Sequence, residues 1–338
     1  MDKVINLGIP HVGEQIFESL DSEDLAQCVE VCQTWGILAG KFALPKWKGK
    51  MLEACKTGKT GIVKLLLQHY SPEESGLNFK DAQGWTPTMW ACGNGHKDVV
   101  QLLIDYSDGK FDFNAKSIHC ESTPLMLACE YGHRDVVQLL LDQSSILDID
   151  LDARDFRNRT AFMLACQRGR TDVVQLLLEC SSIQDINLNA KDFRDQTPFM
   201  LACVHRNLDV IQLMLEHSDG NIDFNTEDEY GNTPLMNACS SGAKDLVQLL
   251  LDYSSIANID LHAKDRNGYA AFLLACRSGR TDIVQLFLGH ADKDIFLSTK
   301  CDFEINANQG LLKSLSLKSL TSLVLENLQS IIEVIFDN

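Results

Sequence analysis

The sequence predicts a mainly α-helical repeat protein. A short helical N-terminal domain spans residues 1–47, a solenoid of about seven helix pairs with β-hairpin-like fingers spans 48–297, and a helical cap spans 298–338. Three observations carry this prediction. A motif ending in Ala-Cys returns at a nearly constant interval, a glycine follows it at a fixed distance, and an apolar stretch with helical periodicity follows the glycine. Such self-similarity marks an array in which each unit packs only on its neighbours, because one helix pair cannot bury its own apolar face.

The motif itself explains the first helix of each unit. Thr86-Pro87-Thr88-Met89-Trp90-Ala91-Cys92 aligns with Thr123-Pro124-Leu125-Met126-Leu127-Ala128-Cys129, and the series continues from Thr160, Thr197, Thr233 and Ala270. Cys92, Cys129, Cys166, Cys203, Cys239 and Cys276 step by 37 residues with one step of 36, and Cys55 lies 37 before Cys92. Thr caps a helix N-terminus, and Pro at the first helical position loses only an amide that would be unpaired there. Gly58, Gly95, Gly132, Gly169, Gly242 and Gly279 then supply a left-handed residue to end that helix, while Arg206 stands in the same slot of one unit. Stretches such as Asp135-Val136-Val137-Gln138-Leu139-Leu140-Leu141 form the second helix.

From residue 51 to residue 290 this pattern resembles the ankyrin repeat, which runs from Thr-Pro-Leu-His through Ala-Ala and Gly-His to Leu-Leu-Leu. The resemblance implies a protein-binding scaffold. Met, or Leu273 in the last unit, stands where the family has His, so the family's hydrogen bond at that turn is expected to be absent. The unit is about four residues longer than the common ankyrin length. The excess falls in segments such as Ser144-Ser145-Ile146-Leu147-Asp148-Ile149-Asp150.

Residues 16 to 47 differ in texture. Ile16, Phe17 and Leu20 share one helical face, Asp21-Ser22-Glu23-Asp24 forms a helix-starting turn, and Leu25, Val29 and Cys32 recur at helical spacing. With Val31-Cys32-Gln33-Thr34-Trp35 and Leu38-Ala39, this stretch resembles the F-box. The resemblance implies a Skp-type adaptor of a cullin-RING ubiquitin ligase as partner, docked helix-in-groove, with the repeats holding a substrate. It implies Ile9, Pro10, Ile16, Phe17, Leu20, Leu25, Val31 and Trp35 as adaptor contacts. The alternative is a plain ankyrin scaffold or inhibitor whose N-terminal helices merely cover the first repeat.

Composition narrows the remaining functions. A net charge of −17 and a pI near 4.9 argue against a general nucleic-acid binder, which needs a basic stripe. No run of about 18 apolar residues suggests a membrane span, and the start lacks the pattern of a signal peptide. Twelve cysteines, seven of them in one repeat register, fit a reducing compartment, so a cytoplasmic or nuclear location is expected. Those thiols lack a Cys-x-x-Cys partner and read as small packing groups, not zinc ligands. Gly58-Lys59-Thr60 mimics the end of a phosphate-binding loop, but the required earlier glycine is Glu53. No cofactor and no catalytic activity are expected.

Arginine placement suggests a recognition face. None of the eleven arginines precedes Arg134, and seven fall between Arg154 and Arg206. Phe156, Arg157, Arg159, Phe193 and Arg194 map to finger tips, and Arg168, His205 and Arg206 to the turn between the helices. Arg and aromatic residues anchor interfaces, so these eight are the candidate contacts for a target protein with an acidic surface. A basic surface that balances nearby Asp residues is the alternative. Reversing Arg157, Arg159 and Arg194 to Glu is expected to leave the melting temperature unaltered. Leu311 to Phe336 reads as a capping helix or helix pair, with an exposed amphipathic segment as the alternative.

Overall fold

The computed structural model describes residues 44–69, 78–106, 112–184, 186–217 and 221–290. The F-box-like motif with Ile9, Pro10, Ile16, Phe17, Leu20, Leu25, Val31 and Trp35, and the expected cap after residue 298, lie outside those residues.

Fifteen helices follow one another among the described residues, and fourteen of them form seven pairs. These pairs are α1 (Leu44–Thr57) with α2 (Thr60–His69), α3 (Pro87–Gly93) with α4 (Lys97–Asp105), and α5 (Pro124–Tyr131) with α6 (Arg134–Asp142). After the short α7 (Ser144–Leu147) come α8 (Ala161–Gln167) with α9 (Thr171–Gln184) and α10 (Pro198–Val204) with α11 (Leu208–Glu216). The last are α12 (Pro234–Ser241) with α13 (Lys244–Asp252) and α14 (Ala271–Arg277) with α15 (Thr281–Gly289). The chain divides after Ala161 into two compact units. In the first, α1, α3 and α5 stack as one layer and α2, α4 and α6 as a second. In the second, α10, α12 and α14 form a layer, while α9 packs on α11 and α13 on α15.

Local chemistry starts each first helix as expected. Thr86, Thr123, Thr197 and Thr233 are extended, and each hydroxyl accepts from the backbone N–H three residues on. The expectation that replacing His with Met deletes the turn's hydrogen bond needs correction. The Thr86, Thr123 and Thr233 N–H groups each donate to the sulfur of Met89, Met126 or Met236 at 3.4 Å. A polarizable thioether thus takes the acceptor's place in an apolar setting. Ala270 removes the cap hydroxyl from α14, which has no side-chain cap bond.

The repeated Ala-Cys sits at the centre of the packing. Cys55, Cys92, Cys129, Cys166 and Cys239 are fully buried and Cys203 nearly so. Cys55 Sγ donates weakly to Met51 Sδ at 3.8 Å, and Cys166 Sγ to Met214 Sδ at 4.0 Å. Met89, Ala115 and Leu127, with Trp85 against them, form one cluster in the first unit. Met163, Ala190 and Leu201 form its counterpart in the second. Edge-on ring pairs, Phe199 with Phe224 and Phe272 with Phe287, continue the second core.

The expected hairpin-like fingers are tight turns instead. Among the described residues the single β contact is an isolated bridge between Lys264 and Ala270. The surplus residues of the long repeat do not disturb the core: α7 adds one turn, exposing Ile146 while Ile149 returns to the interior. Ile256 and Ile259 repeat that arrangement in the second unit.

Candidate functional site: the finger row

Most of the described fingers are organised by one aspartate, and Ser117 takes its place in one, accepting from Ser122 N–H at 3.1 Å. Asp155 N–H donates to the Arg159 carbonyl, and Asn158 N–H donates back to the Asp155 carbonyl. The Asp155 carboxylate accepts from the Arg157 and Arg159 N–H groups at 2.9 and 2.8 Å. Asp192 holds Arg194 and Gln196, Asp228 holds Tyr230 and Asn232, and Asp81 holds Gln83 and Trp85 in the same way. A side-chain oxygen in the place of a backbone acceptor is the Asx device that fixes tight turns without a strand ladder.

Neighbouring fingers are tied through their bases and tips. Asn114 donates to the Asp148 carbonyl and accepts from Asp150 N–H, so one amide clips the next loop by both its groups. Asn189 clips Asn221 and Asp223 likewise, and Asn225 clips Asn258 and Asp260. Phe156 N–H donates to the Cys120 carbonyl at 3.1 Å, and Glu229 N–H to the Arg194 carbonyl at 3.0 Å. The loops therefore present their tips from a backbone frame held at both ends.

The sequence-selected residues fall into three settings. Phe156, 52% exposed, carries the Arg157 guanidinium 5.1 Å above its ring in the first unit. Phe193, 59% exposed, carries Arg194 at 5.4 Å in the second. Each guanidinium thus lies within cation–π distance of an aromatic face, and Arg194 Nε also stands 4.0 Å from Glu229 Oε1. Arg159 turns inward and grips Asp155 Oδ2 through Nη2 at 2.7 Å and Nε at 2.9 Å, with its side chain 13% exposed. It belongs to the frame of the finger.

Arg168, His205 and Arg206 are exposed at the turn after the first helix, all in the second unit. The His205 ring contacts the Gln167 amide at 3.0 Å, and Arg206 donates to the Ser241 carbonyl at 3.2 Å. Arg206 has φ of +57°, the left-handed geometry expected of its slot. The residue after the slot in the next repeat explains why glycine is dispensable there. A Cβ on Gly169 would stand 2.8 Å from Asn207, and one on Gly242 would stand 2.6 Å from Arg280. Opposite Arg206 that residue is the small Ala243.

Ala243→His should therefore destabilise the protein by about 1–3 kcal/mol through overpacking. It should be far milder on an Arg206→Gly background. Urea denaturation of both single variants and the double would sink this account if the two effects simply added.

Sequence reading missed Tyr230, 65% exposed at the next tip, and Arg266, whose stem lies over Gly231. The signal was the register of the finger aspartates, which places Tyr230 opposite Arg194 and Arg266 opposite Phe193.

A stacked helix-pair array with a row of tied loops defines a repeat scaffold whose side chains are displayed for contact. The family model for ankyrin repeats, in three copies, matches residues 51–155, 109–192, 145–228, 184–265 and 220–299, and the chain belongs to that family. The ankyrin repeat domain of Bcl-3, described as a unique member of the IkappaB protein family, is similar with TM-score 0.59 and 24% identity. That match covers 71% of this chain and 97% of that one. The human ASB11 ankyrin repeat domain is similar with TM-score 0.55 and 20% identity, covering 70% of this chain and 96% of that one. Ankyrin repeats bind protein partners and are typically non-catalytic scaffolds, so a role in protein–protein interaction follows.

Proposed function

We propose that the chain is the non-catalytic substrate-recognition subunit of an SCF-type cullin-RING ubiquitin ligase, acting in the cytoplasm or nucleus. In this reading Ile9, Pro10, Ile16, Phe17, Leu20, Leu25, Val31 and Trp35 hold a Skp-type adaptor. Phe156, Arg157, Phe193 and Arg194 at the tips, with Arg168, His205 and Arg206 at the turns, hold the target, and Arg159 keeps one finger in shape. The observation that supports capture is the stacking of an arginine on an exposed phenylalanine at two tips. The Val31-Cys32-x-x-Trp35 spacing behind Ile16-Phe17 supports the ligase half.

Co-expression with a Skp-type adaptor tests that half. The unmodified chain is expected to retain the adaptor through size-exclusion chromatography, and a Phe17→Ala/Trp35→Ala variant to lose it. An unmodified chain that emerges alone would instead be a plain ankyrin scaffold or inhibitor. Equal retention by the variant would mean that other residues make the contact.

A further inference from the structure

The finger row also carries information about the shape of what it binds, on the reading above that this row is the capture face. Three consecutive tips of the second unit present Phe193 with Arg194, then Glu229 with Tyr230, then Arg266. Phe193 and Tyr230 are more than half exposed, and Arg266 is exposed with its stem laid along the preceding finger at Gly231. Arg194 is held over the Phe193 ring and stands 4.0 Å from Glu229 across to the next tip. Both cations are thus packed along part of their length in the free chain, which lowers the entropic cost of using them.

Repeat geometry sets the spacing of these groups. Helices packed side by side lie about 8–10 Å apart, which sets the expected interval between equivalent positions of successive fingers. A polyproline II chain rises about 3.1 Å per residue with three residues per turn, or about 9 Å per turn. One face of such a chain therefore returns opposite every finger. An α-helix, at about 1.5 Å per residue, needs about six residues per finger, which is not a whole number of its turns.

We infer that the finger row of the second unit binds an extended, polyproline-II-like acidic segment of a target protein. Two carboxylates about six residues apart meet Arg194 and Arg266, and a proline midway rests on Tyr230. Arginine edges suit carboxylates, and exposed aromatic rings suit the preformed proline helix. The two cations flank a middle tip whose own charge is Glu229, so a segment with carboxylates at both ends and none midway suits this row.

The test uses the full chain and fluorescence anisotropy at low salt. The probe is a labelled peptide carrying Glu-Ala-Ala-Pro-Ala-Ala-Glu. It should bind roughly tenfold more tightly than peptides with Glu-Ala-Pro-Ala-Glu, or with Gly in place of Pro. Arg194→Glu/Arg266→Glu should abolish binding of this peptide and gain binding of its Lys-Ala-Ala-Pro-Ala-Ala-Lys counterpart. Tyr230→Ala should erase the preference for Pro over Gly. Equal binding of all spacings, lost on charge reversal, would overturn the extended register while leaving the cationic capture face intact. No binding, or binding indifferent to the reversal, would overturn the proposal. The capture face would then be judged separately, by photo-crosslinking from position 193 to a co-purified target.

Discussion

Moving from about pH 8 to about pH 10 is expected to lower the stability of this protein markedly, and the thiol ladder is the reason. Burial pushes the Cys55 and Cys276 thiols up from 9.0 to about 12. Loss of hydration pushes Cys92, Cys129, Cys203 and Cys239 higher still, helped for Cys92 by Cys55 and Cys129 and for Cys239 by Cys276. The folded state therefore keeps protons that the unfolded chain releases near pH 9. Above that point the unfolded chain binds fewer protons, so stability falls as pH rises. The contribution is fully present below the unfolded value and is lost as pH climbs toward the folded one. At pH 10 each thiol costs on the order of 1 kcal/mol, and six of them together several kcal/mol. That is a large part of the stability of an ordinary domain, about 5–15 kcal/mol. Urea midpoints measured from pH 8 to 10.5 check it, with Cys129→Ala as the internal comparison. Losing one thiol should flatten the alkaline slope by up to about 1.4 kcal/mol per pH unit. Superimposable slopes would show that the thiols do not drive the loss of stability.

The same ladder shows what the amino-acid order reveals readily and what it conceals. Ala-Cys, Thr-Pro and the turn glycines each impose a local geometry, so their common register was legible and the helix pairs followed. The left-handed slot at Arg206 was legible for the same reason. Its cause lay in the next repeat at Ala243, where a missing side chain leaves room for a Cβ. The Met89 sulfur departs from the expectation because a thioether keeps an acceptor at the turn where histidine is absent. The fingers were hardest. An aspartate in a polar loop reads as solvated, and only the folded chain shows Asp155 at 5% exposure with its carboxylate oxygens occupied. The tip aromatics were partly legible, since Phe156 and Phe193 share one register, whereas Tyr230 is displaced by one residue and escaped notice. The F-box-like segment lies outside the described residues, so its legibility depends on the adaptor experiment.

Arg159 separates frame from face, and its replacement should be the most damaging single change in the finger row. The expectation that Arg157, Arg159 and Arg194 can all be reversed without affecting melting does not hold for Arg159. The Asp155 side chain is 1% exposed, and Arg159 supplies two donors to its Oδ2. Two other fingers supply the second oxygen with a different donor. Asp81 Oδ2 accepts from the Trp90 indole at 2.8 Å and Asp228 Oδ2 from the Asn237 amide at 3.0 Å, each donor nine residues on. Nine residues after Asp155 stands Leu164, which has no donor. Arg159→Ala leaves a buried carboxylate oxygen without its partner and should cost about 3 kcal/mol. Arg159→Glu adds a like charge and should cost about 5 kcal/mol. Arg157→Glu and Arg194→Glu, both at exposed tips, should stay within about 0.5 kcal/mol of the unmodified chain. Chemical denaturation of the four variants decides the matter: equal midpoints for Arg157→Glu and Arg159→Glu would return Arg159 to the surface. The predicted order also tells an investigator which reversals report on binding, because a capture defect in Arg159→Glu would reflect a collapsed finger, whereas one in Arg157→Glu or Arg194→Glu would reflect the lost contact itself.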